Sequence, residues 1–282
     1  MKVFFLFMIM VFSNYAQALS NGVPAVGDEM RAVVFLQIDD QEDDGSLVSG
    51  FCNGTLVAKN VIVTAAHCVK NNSALGFNKM DVEVGVYKYV NRPDGEIRRI
   101  GYARFYKQSH SVKSFFMPGL KKKIDARGVK AQVGPVDDIA VVVLDKEVPL
   151  PENFWFPKVI SQKELAGISH KILQYDPTIV SNNPFEEISN LDTKRQAKLN
   201  SLSKTFSGYW ESKSISRVAP GDSGAPLFLR IGNEWRLAGI TKGRAENLFS
   251  NWDVFGILDA KICAISEQIM QPEIRAYLCK AW

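Results

Sequence analysis

The sequence predicts an all-β fold in which many short strands form a barrel or a sandwich. Apolar or alternating stretches rich in β-branched residues recur along the chain, and turn formers such as Asp43-Asp44-Gly45 and Pro93-Asp94-Gly95 separate them. Stretches with the pattern of helices are few. Short strands with regular turn signals favour an antiparallel barrel or sandwich over a parallel α/β sheet.

The predicted strands are spread over most of the chain. In order they are 31–38, 54–57, 61–64, 82–90, 139–144, 226–230, 235–241 and 254–258.

Three other segments break this pattern. Residues 185–203 are polar and helix-prone, and residues 271–280 have Pro272 in the first turn of a helix, where proline is tolerated. Both segments therefore predict helices. Residues 109–134 contain Lys121-Lys122-Lys123 and several glycines, and they predict a long exposed insertion.

Composition excludes several classes of protein. Hydrophobic residues make up 46% of the chain and charged residues 23%, which indicates a folded globular protein. A net charge of +4, from 34 basic and 30 acidic residues, is too balanced for a nucleic-acid or membrane-surface binder. With only four cysteines and three histidines, most multi-ligand zinc or iron–sulfur sites are excluded, and we expect neither a metal nor a cofactor.

The first 18 residues have the three-part pattern of a secretory signal peptide. Lys2 precedes an apolar run over residues 3–12, and Ala16-Gln17-Ala18 follows a short polar stretch. A bilayer-spanning helix needs about 20 apolar residues, so this run is too short to be an anchor. We therefore expect a signal peptide at 1–18 and a secreted or periplasmic protein that begins at Leu19 and no longer contacts a membrane.

Export places the four cysteines in an oxidising compartment, where they predict two disulfides. Three pairings are open. Cys52 and Cys68 are 16 residues apart, as are Cys263 and Cys279, so local pairing closes the smaller loops and is favoured. Each such bridge contributes about 3 kcal/mol in the loop-closure account.

Three motifs supply the residues that acyl transfer by a hydroxyl requires. They are Thr64-Ala65-Ala66-His67-Cys68, Asp137-Asp138-Ile139-Ala140 and Gly221-Asp222-Ser223-Gly224. A serine is a poor nucleophile until a histidine takes its proton, and a carboxylate must hold that imidazole in one tautomer. The flanking glycines let the backbone amides of Gly221 and Ser223 point into one pocket, where they can stabilise an oxyanion.

These motifs, in the order His, Asp, Ser and with Cys52 preceding Cys68, closely resemble the trypsin/chymotrypsin serine proteases. The resemblance extends from Leu19 to about residue 258. It implies two six-stranded antiparallel β-barrels, with an active site in the cleft between them, followed by a C-terminal helix. The corresponding boundaries are a protease domain at 19–282, with barrels at about 29–148 and 155–260 and a helical segment at 261–282.

The resemblance also implies roles for individual residues. His67 would be the general base, Asp138 its orienting carboxylate and Ser223 the nucleophile, and a Cys52–Cys68 bridge would fix the histidine loop. Cys263 and Cys279 have no common counterpart in the family and are expected to hold the C-terminal helix. The implied partner is a protein or peptide substrate, a proteinaceous inhibitor is a second class of partner, and a monomer is expected.

The predicted specificity pocket departs from trypsin. Arg217 stands six residues before the nucleophile, where trypsin-like members carry an aspartate, and Lys242, Arg244 and Asp253 lie on the segments that form the pocket walls. A guanidinium at the base would repel a cationic side chain. Either Arg217 and Lys242 receive an acidic side chain, or Asp253 pairs with Arg217 and leaves room for a small or apolar one.

The start of the predicted mature chain carries a further expectation. In the family, a newly formed N-terminal ammonium is buried against the aspartate that precedes the nucleophile, here Asp222. Because Leu19 directly follows the predicted signal peptide, signal cleavage alone would expose that ammonium.

The alternative to a serine endopeptidase is a catalytically silent binding protein on the same scaffold, with an occluded pocket.

Overall fold

The computed structural model describes most of the chain from residue 19 onward. The described residues are 19, 22–25, 28–41, 47–69, 79–91, 97–116, 123–124, 130–131, 138–168, 171–182, 194–204, 209–213, 218–246, 251–258, 260–267, 269 and 272–279. The predicted signal peptide and Arg217 lie outside them.

Strands dominate the described residues. In chain order they are β1 Val23–Pro24, β2 Val33–Gln41, β3 Leu47–Ala58, β4 Val61–Ala65, β5 Lys79–Asn91, β6 Ile97–Phe116, β7 Lys123–Ile124, β8 Lys130–Ala131, β9 Ile139–Leu144, β10 Lys158–Val159, β11 Thr178–Asn182, β12 Lys194–Lys198, β13 Ser203–Lys204, β14 Tyr209–Ser212, β15 Pro226–Ile231, β16 Glu234–Glu246 and β17 Asn251–Ile257.

The helices are short. They are α1 Ala66–Val69, α2 Gln162–Ile168, α3 Ala260–Ser266 and α4 Pro272–Cys279, with 3-10 turns at Asp28–Ala32 and Ile172–Tyr175. All eight predicted strands overlap observed ones, and residues 139–144 match β9 from end to end. The predicted all-β class is confirmed.

The first half of the chain forms a closed antiparallel barrel with the strand order β2-β3-β4-β9-β6-β5. Its inner pair, β4 and β9, is buried along its whole length, in register from Val61 opposite Val143 to Ala65 opposite Ile139. Continuous runs of β-branched residues suit strands that are covered on both faces. Strands β4 and β9, which flank His67 and Asp138, are therefore part of the core of this barrel.

The second half forms a sheet with the path β1-β12-β11-β15-β16-β17-β14-β13, and β10 adds to β16 in parallel. The six strands from β12 to β14 are the expected second unit, and within the described residues their hydrogen-bonded path is open between β12 and β14. A separate apolar cluster fills this unit, with Leu227 and Phe255 fully buried. The two halves agree with a chymotrypsin-like double-barrel fold.

The C-terminal segment contains two helices where the sequence predicted one. Helix α4 corresponds to the helix predicted at 271–280, and α3 lies at the start of the segment, 261–282, that was expected to be helical. Ile262 and Ile265 of α3, with Ile274 and Leu278 of α4, belong to the apolar cluster of the first barrel. A disulfide between Cys263 and Cys279 joins the two helices. The helical segment therefore packs as one unit against the first barrel.

Two predictions of local structure were wrong where the structure describes them. Residues 194–198 of the predicted helix at 185–203 form β12, which lies between β1 and β11, whereas residues 183–193 are outside the described part. The predicted insertion at 109–134 begins in a strand, because β6 continues to Phe116 and pairs with β9 from Val112 onward. In both cases pairing with distant strands overrides the local preference of a polar segment.

No helix in the described ranges is long and apolar enough to cross a membrane.

Candidate active site

His67 projects from the short turn that follows β4. The other residues of this turn, Ala66, Cys68 and Val69, are buried, whereas the side chain of His67 is 41% exposed. A disulfide from Cys68 to Cys52 ties the turn to β3. The local pairing that the sequence favoured is therefore present. It anchors the turn from which the exposed side chain of His67 projects.

Asp138 holds His67 through two hydrogen bonds. The His67 Nδ1 atom lies 2.7 Å from Asp138 Oδ2, and the backbone N–H of His67 donates to Oδ1 at 2.9 Å. A carboxylate only accepts, so Nδ1 carries the proton and, in the neutral ring, Nε2 keeps its lone pair directed away from Asp138. The imidazole is thus fixed in one tautomer.

The backbone of Asp138 is adapted to this contact. Its φ of 48° is in the left-handed region, which aspartate tolerates better than most residues. The Asp138 carbonyl accepts the N–H of Ala66 at 3.1 Å, and the residue is only 1% exposed. Since Asp138 directly precedes β9, which pairs with β4, the sheet register itself brings this carboxylate to the histidine.

Ser223 lies in a tight loop, residues 221–224, just before β15. Gly221 and Gly224 have φ values of 97° and 81°, which glycine adopts without strain. Hydrogen bonds from Asp222 N to Ala219 O and from Ala225 N to Asp222 O, both 3.0 Å, close the turn. The sequence prediction of a sharp turn around Ser223 agrees with this geometry.

The 221–224 loop is docked against the first barrel. Asn53 of β3 donates its backbone N–H to Ser223 O at 2.6 Å and its side-chain Nδ2 to Gly221 O at 2.8 Å. Thr64 Oγ1 donates to Asn53 O at 2.6 Å, and Thr64 precedes His67 by three residues. The serine loop and the histidine turn therefore rest on the same pair of strands.

This docking leaves no room for a side chain at residue 224. A Cβ atom on Gly224 would lie 2.0 Å from Asn53 O and 2.3 Å from Thr64 Oγ1. Glycine is therefore required both for the φ angle and for the close approach of the two halves of the molecule.

Within this loop, the side chain of Asp222 is fully buried. Its Oδ2 accepts the N–H of Ala219 at 2.7 Å and that of Leu19 at 3.1 Å, and its Oδ1 accepts the hydroxyl of Ser181 at 2.5 Å. Leu19 is itself 0% exposed and belongs to the core of the second unit. The structure thus brings together the two residues that the sequence paired, Leu19 and Asp222.

The predicted pocket residues occupy different environments. Asp253 of β17 is 1% exposed and accepts the N–H of Val218 at 3.0 Å. Arg244 lies opposite it on β16 and is exposed. Lys242 Nζ lies 4.4 Å from the centre of the Tyr209 ring and 3.3 Å from its hydroxyl. Arg217 is outside the described residues.

Cys52, His67 and Cys68 also have the grouping of a metal site, with their ligand atoms within 4.8 Å of one another. Both sulfurs are in the disulfide, however, and offer no thiolate to a metal. The grouping is explained by the bridge that supports His67.

Sequence reasoning missed two residues of this site, Asn53 and Ser181. The position of Asn53 directly after Cys52 was the one local indication that it lies near the site. The partners of Asn53, Ser181 and Gly221, are 128 and 168 residues away in the sequence. No spacing pattern reports such contacts.

The double-barrel architecture, with a His–Asp pair on one unit and a glycine-flanked serine on the other, defines the class of chymotrypsin-like serine protease folds. In agreement, the family model described as Trypsin matches residues 19–248. The chain belongs to the trypsin family. A comparison with curated proteins found no match.

We expect Gly224→Ala to destabilise the protein by about 3 kcal/mol, because it combines a strained φ with overpacking against backbone atoms. Urea unfolding would measure the change. Gly167→Ala is the matched control, since a Cβ on Gly167 in α2 meets nothing within 4 Å. That change should raise stability by up to about 1 kcal/mol. Equal stability of the two variants would contradict the docking contact.

Proposed function

We propose that this protein is a secreted serine endopeptidase that acts as a monomer and hydrolyses peptide bonds through Ser223, His67 and Asp138. Family membership implies protein or peptide substrates, and disulfides are typical of secreted proteins. The observation that carries the proposal is the 2.7 Å contact between His67 Nδ1 and the buried carboxylate of Asp138. It supplies an oriented base at the end of β4, the strand paired with β3, and β3 in turn bonds the loop that holds Ser223.

In the proposed mechanism, His67 Nε2 accepts the Ser223 proton while Oγ attacks the carbonyl carbon of the scissile bond. The tetrahedral oxyanion is stabilised by the N–H groups of Gly221 and Ser223. The imidazolium then gives its proton to the leaving amine, and an acyl-enzyme remains. Water repeats the sequence with His67 again as the base, which releases the acid and restores Ser223.

Burial of Asp138 supports this role. A carboxylate that is 1% exposed interacts with a neighbouring charge through a medium of lower effective dielectric than water. It therefore stabilises the imidazolium that forms as Ser223 loses its proton. The backbone N–H of His67 holds one carboxylate oxygen in place, and the bond from Nδ1 to the other oxygen keeps the ring from rotating between the two proton transfers.

Labelling with a fluorophosphonate tests the proposal. The exported protein should react at one serine, and Ser223→Ala should abolish the reaction. Ser203→Ala, at an exposed position on β13, is the control and should label like the wild type. If the correctly processed protein does not label at all, the catalytically silent binding protein with an occluded pocket is the better description.

We also propose that signal cleavage alone activates the protein. In the full-length chain the Leu19 nitrogen is an amide that donates to Asp222 at 3.1 Å. Cleavage after Ala18 would turn it into an ammonium, which compensates the charge of a fully buried carboxylate in addition to bonding it. The pairing would then fix the base of the 221–224 loop at the moment of export.

A mature chain with one extra alanine before Leu19 tests this mechanism. The added residue displaces the charge from Asp222 and leaves only an amide there, so we expect kcat/KM to fall at least about 100-fold, the scale of a mispositioned reacting group. The same alanine after Trp282 should have no effect. Unchanged kcat/KM in the first variant would contradict activation by Leu19.

For the specificity pocket we propose the ion pair of Arg217 with Asp253 and a preference for small or apolar side chains. Asp253 is almost fully buried and accepts the N–H of Val218, the residue that follows Arg217 in the sequence. A carboxylate at this depth is costly without a cationic partner. The position of Lys242 over the Tyr209 ring also supports this proposal, because that ring already stabilises the ammonium.

A peptide-library profile would test the pocket. We expect cleavage after small or apolar residues in the wild type and a shift toward acidic residues in Asp253→Asn, which leaves Arg217 free to bind a substrate carboxylate. Preferred cleavage after Asp or Glu by the wild type would favour the acidic pocket instead. Preferred cleavage after Lys or Arg would contradict both alternatives.

A further inference from the structure

Asn53, on the first barrel, bonds the 221–224 loop of the second unit twice. Its backbone N–H donates to Ser223 O at 2.6 Å and its side-chain amide donates to Gly221 O at 2.8 Å. One residue thus holds the carbonyl groups on both sides of Asp222. The side chain is fully buried, so water does not compete for these bonds.

The same amide begins a buried chain of donors that ends at Asp222. Asn53 Nδ2 also donates to Ser181 Oγ at 3.1 Å, and the Ser181 hydroxyl donates to Asp222 Oδ1 at 2.5 Å. An amide group has two N–H donors and a hydroxyl has one, so these three bonds use each donor once. Because Gly221 O and the carboxylate only accept, the direction of the whole chain is determined.

We propose that Asn53 and Ser181 are positioning residues that hold the 221–224 loop in its oxyanion-binding shape and align it with His67. This proposal rests on the proposed function, since it concerns the same reaction. In the described part of the chain, both residues bond the loop and not the reacting atoms. Asn53 acts through Gly221 and Ser223, and Ser181 acts through Asp222.

The physical need for such residues comes from the glycines. Gly221 has a φ of 97° and no Cβ, so its flanking peptides would rotate easily in the absence of a restraint. The bond from Asn53 to Gly221 O fixes the peptide between Gly221 and Asp222, and the bond to Ser223 O fixes the peptide after Ser223, so the peptide that carries the Ser223 N–H lies between two fixed ones. Asn53 also accepts from Thr64, on the strand that leads to His67, so one residue sets the distance between both loops.

Displacement of a reacting group by about 1 Å can lower a rate about 100-fold. We therefore expect Asn53→Asp, which places an oxygen against Gly221 O, to lower kcat about 100-fold and change KM less than about threefold. Ser181→Ala removes one donor from Asp222 and should lower kcat about tenfold. The double variant should lose less than the product of the single losses, because both residues act through one loop.

Thr55→Val is the matched control. Thr55 is two residues along the same strand and equally buried, and within the described part of the chain its hydroxyl has no hydrogen-bond partner. Loss of that hydroxyl should leave kcat and KM at the wild-type values. It shows what a buried polar-to-apolar change on β3 does when the loop contact is kept.

The decisive measurement is kcat per active site, with active sites counted by fluorophosphonate titration. A residue needed only for folding would lower the number of active sites and leave kcat per site unchanged, and that result would overturn the proposal. If Asn53→Asp does not fold, Ser181→Ala decides by the same criterion.

Hydrogen exchange over residues 219–225 provides a readout that does not depend on activity. Exchange there should be faster in Asn53→Asp and Ser181→Ala than in Thr55→Val. If the wild type does not label but the exchange rates differ in this way, the proposed function fails while the positioning role stands. If the wild type is active and neither exchange nor kcat per site changes, the positioning role fails.

Discussion

The contact between β3 and the 221–224 loop is the constraint on which the rest of the site depends. The candidate base belongs to one β unit and the candidate nucleophile to the other, so no local structure can set the distance between them. Asn53 bonds both Gly221 and Ser223 across this boundary. Gly224 permits the approach, because any Cβ there would overlap backbone atoms of β3.

Three buried aspartates define three parts of the site, and all of them are held by backbone N–H groups. Asp138 binds the N–H of His67, Asp222 binds that of Ala219, and Asp253 binds that of Val218. Burial of a carboxylate is unfavourable unless its oxygens are hydrogen-bonded, so each position is sharply defined. The three carboxylates thereby fix the histidine, the loop around Ser223 and the backbone at Val218.

The sequence predicted a segment correctly where its own residues show whether it is buried, and failed where burial and pairing depend on distant strands. The apolar run of β9 is covered on both faces, and its position was predicted to the residue. Residues 194–198 are polar and were predicted as helix, yet they form β12 because β1 and β11 lie on either side. Strand β6 has no counterpart among the predicted strands, and its last residues, expected in an exposed insertion at 109–134, instead pair with β9 and close the barrel.

The sequence by itself determined the residues of the candidate site, because His67, Asp138 and Ser223 each stand in a short motif whose turns and strand starts are encoded locally. It also favoured the two disulfides, since each cysteine pair closes a small loop. Only the tertiary structure decided the arrangement of Asn53, Ser181 and Asp222. Those bonds join residues far apart in the chain, and the direction of each follows from which donors and acceptors meet after the two halves pack.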